Sequence, residues 1–437
     1  MSKVAKFGGS SVANGQTIQQ IRSIVSSDPD RSIIVVSAPG RDQNHDSKVT
    51  DLLYLMVAHM EYRFDHSHLL HTIKQRFSDI VEDLALSNAF DNAFEQFEKE
   101  LTSSTAKDFL VSRGEYFNAM IIAEYLGFTF VDALDVISLR YDGSVDYQRT
   151  AQLLEPYKNE SIVIPGFYGS TPDKKVRLFG RGGSDLTGSI VARAIGATCY
   201  ENWTDVSGIY VADPSIIDAP KRIKEITYNE LRELAYRGAN VLQQESVIPV
   251  EQTDIPIHIK NTHQPDDEGT FITNDVHDNT SIITGISGLT GYTAINVTKQ
   301  SDHNVTSVLR DVLDLFLRYR LRIEHIPTGI DTFSVITKSD DMKDLYFDFM
   351  NDLRSIDGVI SIEEETNISL IAIVGRNMAH IPGVAGRIFS TLGKHQINIK
   401  VIAQASKEIS IIIGVKNNDY KQAIRVLYSE FYQTLAT

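Results

Sequence analysis

The sequence predicts an α/β protein: a large domain with a mainly parallel central sheet, followed by a smaller α+β region. Near the N-terminus, "VAKF", "TIQQIRSIV" and "RSIIVVSAPG" read as strand, helix and strand, the order of a right-handed βαβ unit with parallel strands. The same alternation continues for about 260 residues. The rest of the chain has shorter elements and an internal repeat, which indicates a second kind of architecture.

The first domain is predicted to begin with a strand at residues 3–7. A helix follows in which Ile18 and Ile21 share one face, with Asn14 as its N-cap. Residues 50–127 are predicted to be mostly helical, because their apolar residues recur every three to four positions. Strands return at "FTFVDA", "SIVIPGFYG", "VRLFG", "TCYENWTD" and "IPIHIKN", with helices at "SIVARAIGA" and "NELRELAYRGANVL".

A polar, turn-rich stretch, "NTHQPDDEGTFITNDVHDNTS", predicts a domain boundary near residue 280. The predicted domains are therefore 1–280 and 281–437.

Within the second domain, "LRIEHI" and "INIKVI" begin 76 residues apart, and an amphipathic helix precedes each. Two β-α-β-β-α-β units, at about 290–365 and 366–437 and either separate or interleaved, are the simplest account. Two generic βα pairs that merely look alike are the alternative.

Composition excludes several classes of protein. The 437 residues carry a net charge of −15, which argues against a general nucleic-acid or membrane-surface binder. No segment reaches the ~18 continuous apolar residues of a membrane span. The single cysteine, Cys199, is interpreted as a buried apolar residue rather than a nucleophile. A reducing, cytoplasmic location is expected.

The loop "KFGGSSV" has the residue types of a phosphate-binding site. Gly8 and Gly9 allow the backbone to approach a phosphate, and Lys6 adds a positive charge. The following helix contributes its positive N-terminus. The signal is weak on its own, since a plain turn with a solvated lysine has the same sequence.

The loop "GRGGSDLTG" carries both charge signs. Arg181 offers a planar fork for a carboxylate, and Gly183 again permits close approach. Ser184 and Asp185 lie at the start of the next helix, where N-capping is the commoner role for an aspartate.

Two further acids complete the set. In "WTDVSGIYVADP", Asp205 ends a strand and is either a ligand-orienting carboxylate or part of an Asx-turn. In "SRGEYFNAM", Glu115 is predicted at a helix start, where it either complements the dipole or accepts from a substrate ammonium.

The loops "KFGGSSV", "GRGGSDLTG" and "WTDVSGIYVADP" all follow predicted strands. They are therefore expected to meet at the carboxyl edge of the sheet.

These motifs, with "VSAPG", "KVTDLL" and "IPGVAGRIFSTLGKHQINIKVIAQASKEISIIIGV", occur in the order seen in aspartate kinases. The chain resembles the monofunctional type over essentially its whole length. The resemblance implies an amino-acid-kinase fold, with helices on both faces of its sheet, followed by two ferredoxin-like ACT domains. It also implies transfer of the ATP γ-phosphoryl group to the side-chain carboxylate of L-aspartate, with Mg²⁺ bridging the ATP oxygens.

The resemblance assigns roles position by position. The implied catalytic residues are Lys6, Asp185 and Asp205. The implied aspartate-binding residues are Ser37, Thr50, Glu115, Arg181, Gly183, Ser184 and Asp185. The implied nucleotide-binding residues are Lys6, Gly8, Gly9, Ser10, Thr204, Asp205, Gly208 and Tyr210.

The resemblance further implies regulation by an end-product amino acid, lysine or threonine or both, and a homodimer formed through the ACT domains. The candidate effector positions are Asp302, His303, His325, Thr328, Gly329, Ile330 and Asp331.

Two positions depart from the family pattern. Ser215 and Asn240 stand where many members have an arginine and a lysine that help to hold the nucleotide. Two alternatives to an aspartate kinase therefore stay open: a catalytically weakened amino-acid sensor with the same fold, and another carboxylate kinase of the superfamily.

Overall fold

The computed structural model describes most of the chain, namely residues 2–87, 89–102, 105–180, 182–238, 242–276, 282–378, 381–404 and 409–433. The chain divides into two compact units. The first unit comprises Met1–Ile209, Lys224–Tyr228 and Val241–Val276, and the second comprises Tyr210–Ile223, Asn229–Asn240 and His277–Thr437. Neither unit is continuous in sequence, and the boundary near residue 280 stays a prediction.

Strands and helices alternate through the first 276 residues. In chain order they are β1 (Val4–Phe7), α1 (Gly15–Ser26), β2 (Ile33–Val36), α2 (Val49–Glu61), α3 (Ser67–Asp83), α4 (Ala89–Glu100), α5 (Lys107–Leu126), β3 (Thr129–Phe130), α6 (Ala133–Val136), α7 (Tyr147–Leu154), β4 (Ile162–Pro165), β5 (Tyr168–Ser170), β6 (Val176–Leu178), α8 (Gly183–Ile195), β7 (Tyr200–Thr204), β8 (Glu225–Thr227), α9 (Tyr228–Tyr236), α10 (Gln244–Glu251), β9 (Ile257–Asn261) and β10 (Thr270–Thr273).

The first unit is built on a sheet with strand order β3-β4-β2-β1-β7-β9-β10-β8. Strands from β3 to β9 in this order run parallel, and β10 is antiparallel to β9. Every residue of β1, β2 and β4 is buried, as expected for a sheet covered by helices on both faces. The predicted mainly parallel sheet is confirmed.

An aromatic cluster joins three of the helices that pack beside this sheet. Phe77 of α3 and Phe90 and Phe94 of α4 contact Phe117 of α5, with ring centroids 5.3–5.8 Å apart. These four rings are almost completely buried, so the aromatic repeat in the sequence forms core, and it holds α5 in place against the sheet.

Local predictions mostly agree with the structure. The Asn14 side chain accepts from the Thr17 amide in a capping box at the start of α1. The segment "VRLFG", however, does not join the main sheet, because β6 pairs with β5 in a separate antiparallel hairpin. "FTFVDA" forms a strand over two residues only.

The second unit carries a five-stranded sheet in its C-terminal part. Its elements there are β11 (Gly285–Lys299), α11 (Val305–Arg318), β12 (Thr332–Lys338), α12 (Ser339–Met342), α13 (Tyr346–Arg354), β13 (Val359–Val374), α14 (Val384–Lys394), β14 (Val401–Ala403), β15 (Ser410–Lys416) and α15 (Tyr420–Tyr428). The strand order is β12-β11-β13-β15-β14.

Two long strands connect the two halves of this sheet. β11 and β13 pair antiparallel along their whole length, with register shifts between Leu289 and Ala294. The end of β11 pairs with β12, and the end of β13 pairs with β15, so the two halves share their central strands. "LRIEHI" forms a bridge at His325 and not a full strand.

In the described part of the chain, no helix is both long and apolar enough to cross a membrane.

Candidate active site

The loops that follow β1, β2 and β7 meet the start of α8 around a cavity of about 560 Å³ in the first unit. Because these strands are parallel, their carboxyl ends share one edge of the sheet. Twelve residues predicted for the site line this cavity: Lys6, Gly8, Gly9, Ser10, Ser37, Thr50, Glu115, Gly183, Ser184, Asp185, Thr204 and Asp205.

Lys6 and Asp185 form an ion pair in this cavity. Lys6 is the third residue of β1, and its Nζ lies 2.6 Å from Oδ1 of Asp185. Asn202 of β7 donates to the same oxygen over 2.9 Å. The interpretation of Asp185 as an N-cap is wrong, because Gly182 is the N-cap of α8 and Asp185 lies three residues later, with its carboxylate turned to the cavity.

The loops after β1 and β2 are in backbone contact beside the cavity. The Gly40 amide donates to the Gly9 carbonyl over 2.8 Å, and the Gly8 amide donates to the Trp203 carbonyl over 3.0 Å. A Cβ atom on Gly40 would lie 2.6 Å from the carbonyl carbon of Gly9. Glycine at position 40 is therefore a condition for this close approach.

Glu115 is a buried carboxylate at the cavity wall. It lies in the middle of α5, so the prediction of a helix start is wrong and the helix dipole does not account for it. The Ala38 amide hydrogen-bonds the carboxylate, while Oε2 has no hydrogen-bond partner among the residues described. Burial raises the pKa of Glu115 to about 8, because the ionised carboxylate is poorly solvated there. A cation bound beside it would stabilise the ionised form.

Ser37 and Thr50 lie on either side of the loop after β2. Ser37 directly follows β2 and is half-buried, and its carbonyl accepts from Asn118 Nδ2 of α5 over 2.6 Å. Thr50 is the second residue of α2. α5 thus supplies both the buried acid and the residue that fixes the Ser37 backbone.

The end of β7 carries the polar pair Thr204 and Asp205. Thr204 Oγ1 donates to Asp205 Oδ1 over 3.1 Å, and Asp205 is exposed to the cavity. Gly208 follows in the left-handed region, with φ of 119°. Tyr210 belongs to the second unit, and Arg181 lies outside the described residues.

The cavity also has walls that sequence reasoning missed. Arg41 and Lys48 bring two exposed cations from the loop after β2, and Phe167 contributes an aromatic face. Arg41 directly follows "VSAPG", and Lys48 is the first residue of "KVTDLL", so these two motifs were the available signal. Phe167 follows β4 and has no such signal.

The charges in the cavity match a pair of anions and an amine. Lys6, Arg41 and Lys48 suit phosphate oxygens, and Glu115 and Asp185 suit an ammonium group. Among the described residues, no three His, Cys, Asp or Glu side chains cluster in a way that would hold a metal ion. Asp205 is the exposed carboxylate at the edge of the cavity.

The candidate effector residues lie in the second unit, and four of the seven form side-chain contacts. The His303 ring lies between Asp302 and Asp357, and the Lys299 Nζ is 2.8 Å from Asp331. His325 accepts from Arg237.

The other three candidate effector positions lie on the turn before β12. Thr328 bridges to Phe333, the Gly329 amide donates to the Thr332 carbonyl, and Ile330 is 89% exposed. Their role stays a prediction.

Comparison with known proteins gives the chain its family. The model of the amino acid kinase family matches residues 1–261, and an ACT domain model matches residues 371–431. Aspartokinase 3 of Bacillus subtilis (strain 168) is 34% identical over 98% of both chains. Lysine-sensitive aspartokinase 3 of Escherichia coli (strain K12) is 27% identical over 98% of this chain and 99% of its own.

The same relationship holds in three dimensions. The crystal structure of aspartate kinase from Clostridium acetobutylicum superposes with a TM-score of 0.95 at 39% identity, and covers 98% of this chain and 100% of its own. From these matches, the chain belongs to the aspartokinases of the amino acid kinase family and carries ACT sequence after its kinase region.

Proposed function

We propose that the protein is an aspartate kinase that converts ATP and L-aspartate to ADP and 4-phospho-L-aspartate. One observation carries the proposal: a single cavity in an aspartokinase chain brings Lys6, two glycine loops and the buried acid Glu115 together. The cations Lys6, Arg41 and Lys48 suit an anionic donor, and the acids Glu115 and Asp185 suit the ammonium group of an amino-acid acceptor.

In the proposed reaction, a side-chain carboxylate oxygen of aspartate bonds to the γ-phosphorus of ATP. The bond from that phosphorus to the β,γ-bridging oxygen breaks, and ADP leaves. No proton has to move, so the protein aligns the two anions and offsets their charge. Lys6 neutralises the moving phosphoryl group, and the amides around Gly8, Gly9 and Ser10 cradle the phosphates. Mg²⁺ would supply charge neutralisation across the phosphate oxygens.

Aspartate would bind against α5 and the start of α8. Glu115 and Asp185 accept from its ammonium group, and Ser37, Thr50, Gly183 and Ser184 line the pocket around it. Arg181 is assigned to the α-carboxylate on the strength of the family motif. Thr204, Asp205, Gly208 and Tyr210 are assigned to the nucleotide on the same basis.

The proposal includes feedback control. The ACT match supports binding of an end-product amino acid by the second unit, and the E. coli relative is named for its sensitivity to lysine. Lysine or threonine or both are the proposed effectors at the positions from Asp302 to Asp331, in a homodimer formed through the ACT domains. The buried Cys199, whose thiol pKa is raised by burial to about 12, fits a cytoplasmic protein without a cysteine nucleophile.

Trapping of the acyl phosphate with hydroxylamine tests the proposal. With ATP, Mg²⁺ and L-aspartate, the hydroxamate is expected to form at a rate that depends on aspartate, and titrated lysine or threonine is expected to lower that rate. Folded protein without aspartate-dependent product would contradict the proposal. Lysine binding without ATP binding, measured by calorimetry, would favour the sensor, and a preference for glutamate would favour another carboxylate kinase.

A further inference from the structure

We propose that Asn202 is a positioning residue for the phosphoryl transfer, because it holds the carboxylate of Asp185 in the orientation that places the Lys6 ammonium at the cavity. Asn202 does not line the cavity itself. The inference rests on the proposed function, and it adds a residue on β7 that acts through Asp185.

The register of the sheet brings the three side chains together. Lys6 and Asn202 are paired neighbours on the parallel strands β1 and β7, so their side chains leave the sheet on the same face. Both donate to Oδ1 of Asp185, over 2.6 Å from Lys6 and 2.9 Å from Asn202. Asn202 is only 3% exposed, so water does not readily replace its amide.

A second contact from β7 fixes the backbone of the same turn. Tyr200 is two residues before Asn202 and therefore on the same face of the strand. Its hydroxyl donates to the carbonyl of Asp185 over 3.0 Å. A Cβ on Gly188 would lie 2.6 Å from the Tyr200 ring, so α8 approaches β7 as closely as a glycine allows. β7 thus holds both the backbone and the carboxylate of Asp185.

The chemistry of an amide suits this position. Asn202 adds a hydrogen bond without adding charge, so Oδ1 is held by two donors while the positive charge of Lys6 stays available to the phosphoryl group. Oδ2 would lie 3.6 Å from a Cβ on Gly182, and therefore faces the glycine loop of the cavity. That oxygen is then the one presented to the substrate ammonium.

The test compares N202A, N202D and D185N with the double variant D185N/N202A in the hydroxamate assay. N202A is expected to lower kcat about 10- to 100-fold, the range of one lost hydrogen bond to a charged group, and to leave the KM for ATP within about twofold. In the D185N background, N202A is expected to cost less than it does in the wild type, because the hydrogen bond that is lost then joins two neutral groups.

N202D separates charge from shape, because it is nearly isosteric. Its second carboxylate beside Asp185 should lower kcat further than N202A does, because two like charges then face each other next to Lys6. Ser189→Ala is the matched control. Ser189 is also buried and lies on α8, but among the described residues its hydroxyl bonds the Leu186 carbonyl of its own helix, so turnover should be unchanged.

The outcomes separate the two proposals. Wild-type protein without aspartate-dependent turnover overturns the proposed function and the role of Asn202 with it. Active wild type together with a fully active N202A, or equal N202A losses in both backgrounds, overturns the role of Asn202 alone. The cycle with N202A decides the question even if N202D does not fold.

Discussion

The ammonium of Lys6 and the carboxylate of Asp185 lie 2.6 Å apart, and they join the central strand β1 to the first turn of α8. Lys6 is 6% exposed, so this pair holds the lysine at the cavity before any substrate arrives. In the proposed reaction, phosphate oxygens would be a second anionic partner for Lys6, which would not have to change its position. A cation that is positioned in advance needs little reorganisation during the reaction.

Replacing Lys6 by methionine is expected to lower kcat by at least about 1,000-fold, because the transferring phosphoryl group loses the cation that meets it. The variant should also be less stable, since the carboxylate of Asp185 loses the ammonium of Lys6 and keeps the neutral amide donor of Asn202. Steady-state hydroxamate formation and thermal unfolding measure the two effects.

The double variant K6M/D185N is the control for stability. With both charges removed, the melting temperature should return toward the wild-type value while activity stays lost. Recovery of turnover in the double variant would contradict the role of Lys6.

Gly40→Ala is expected to disrupt the contact between the loops after β1 and β2. The new Cβ would meet the Gly9 backbone at 2.6 Å, where no side-chain rotation can relieve the clash, so the two loops must move apart. We expect a KM for ATP raised about tenfold or more, together with a lower melting temperature.

Gly393→Ala is the matched comparison. A Cβ on Gly393 of α14 would meet nothing within 4 Å, and alanine favours a helix over glycine by ~1 kcal/mol. This variant should be as stable as the wild type or more so, with unchanged KM. Equal behaviour of the two variants would show that close approach at Gly40 is unimportant.

Local pattern was enough to predict the elements and the motif loops. The apolar runs "VAKF" and "IIVV" are completely buried strands, and the parallel pairing of β1 with β2 brings the loops after them to one edge. Glu115 was expected at a helix start because the apolar pattern does not show where α5 begins. The helix starts at Lys107, and burial in its interior is what perturbs the acid.

Contacts between segments that are distant in sequence bring two further residues to the site, and local pattern did not predict them. Asn202 lies next to Lys6 only because β7 pairs with β1, although 196 residues separate them in sequence. Arg76 is far from any motif, yet it reaches the carbonyls of Ala13 and Gly40. Pairings between distant segments are not written in local periodicity, so neither residue stood out before the fold was known.

Arg76→Ala is expected to destabilise the first unit by ~3 kcal/mol, as for a buried charge pair that loses one member. The guanidinium is 3% exposed, ties the loops after β1 and β2 together, and lies 3.3 Å from Asp42. Urea unfolding measures the loss, and activity of the folded variant should also fall because both loops line the cavity.

Arg310→Ala provides the comparison, because its partner Asp311 is also solvent-exposed, and exposed pairs contribute little. An R76A variant as stable as R310A would contradict the view that Arg76 clamps the loops.

Glu115→Gln is expected to change how stability depends on pH. Burial raises the pKa of Glu115 to about 8 in the folded protein, against 4.5 for an ordinary glutamate. The folded state therefore holds a proton that the unfolded state releases. The stability of the wild type relative to E115Q should be constant below pH 4.5, fall between pH 4.5 and 8 by on the order of 1 kcal/mol per pH unit, and level off above pH 8. A difference that does not vary with pH would contradict the raised pKa.

The pH dependence of aspartate binding should also report the raised pKa of Glu115. An ammonium beside Glu115 favours the ionised carboxylate, so binding below pH 8 must release the proton that the free protein holds. The dissociation constant for aspartate is therefore expected to rise up to about tenfold for each pH unit below 8, and calorimetry in buffers of different ionisation enthalpy should detect up to one proton released. In E115Q, affinity should be lower at pH 8 and nearly independent of pH between 6 and 8. Wild-type binding that is equally tight at pH 6 and pH 8, without proton release, would remove Glu115 from the ammonium site and leave Asp185 as the acceptor.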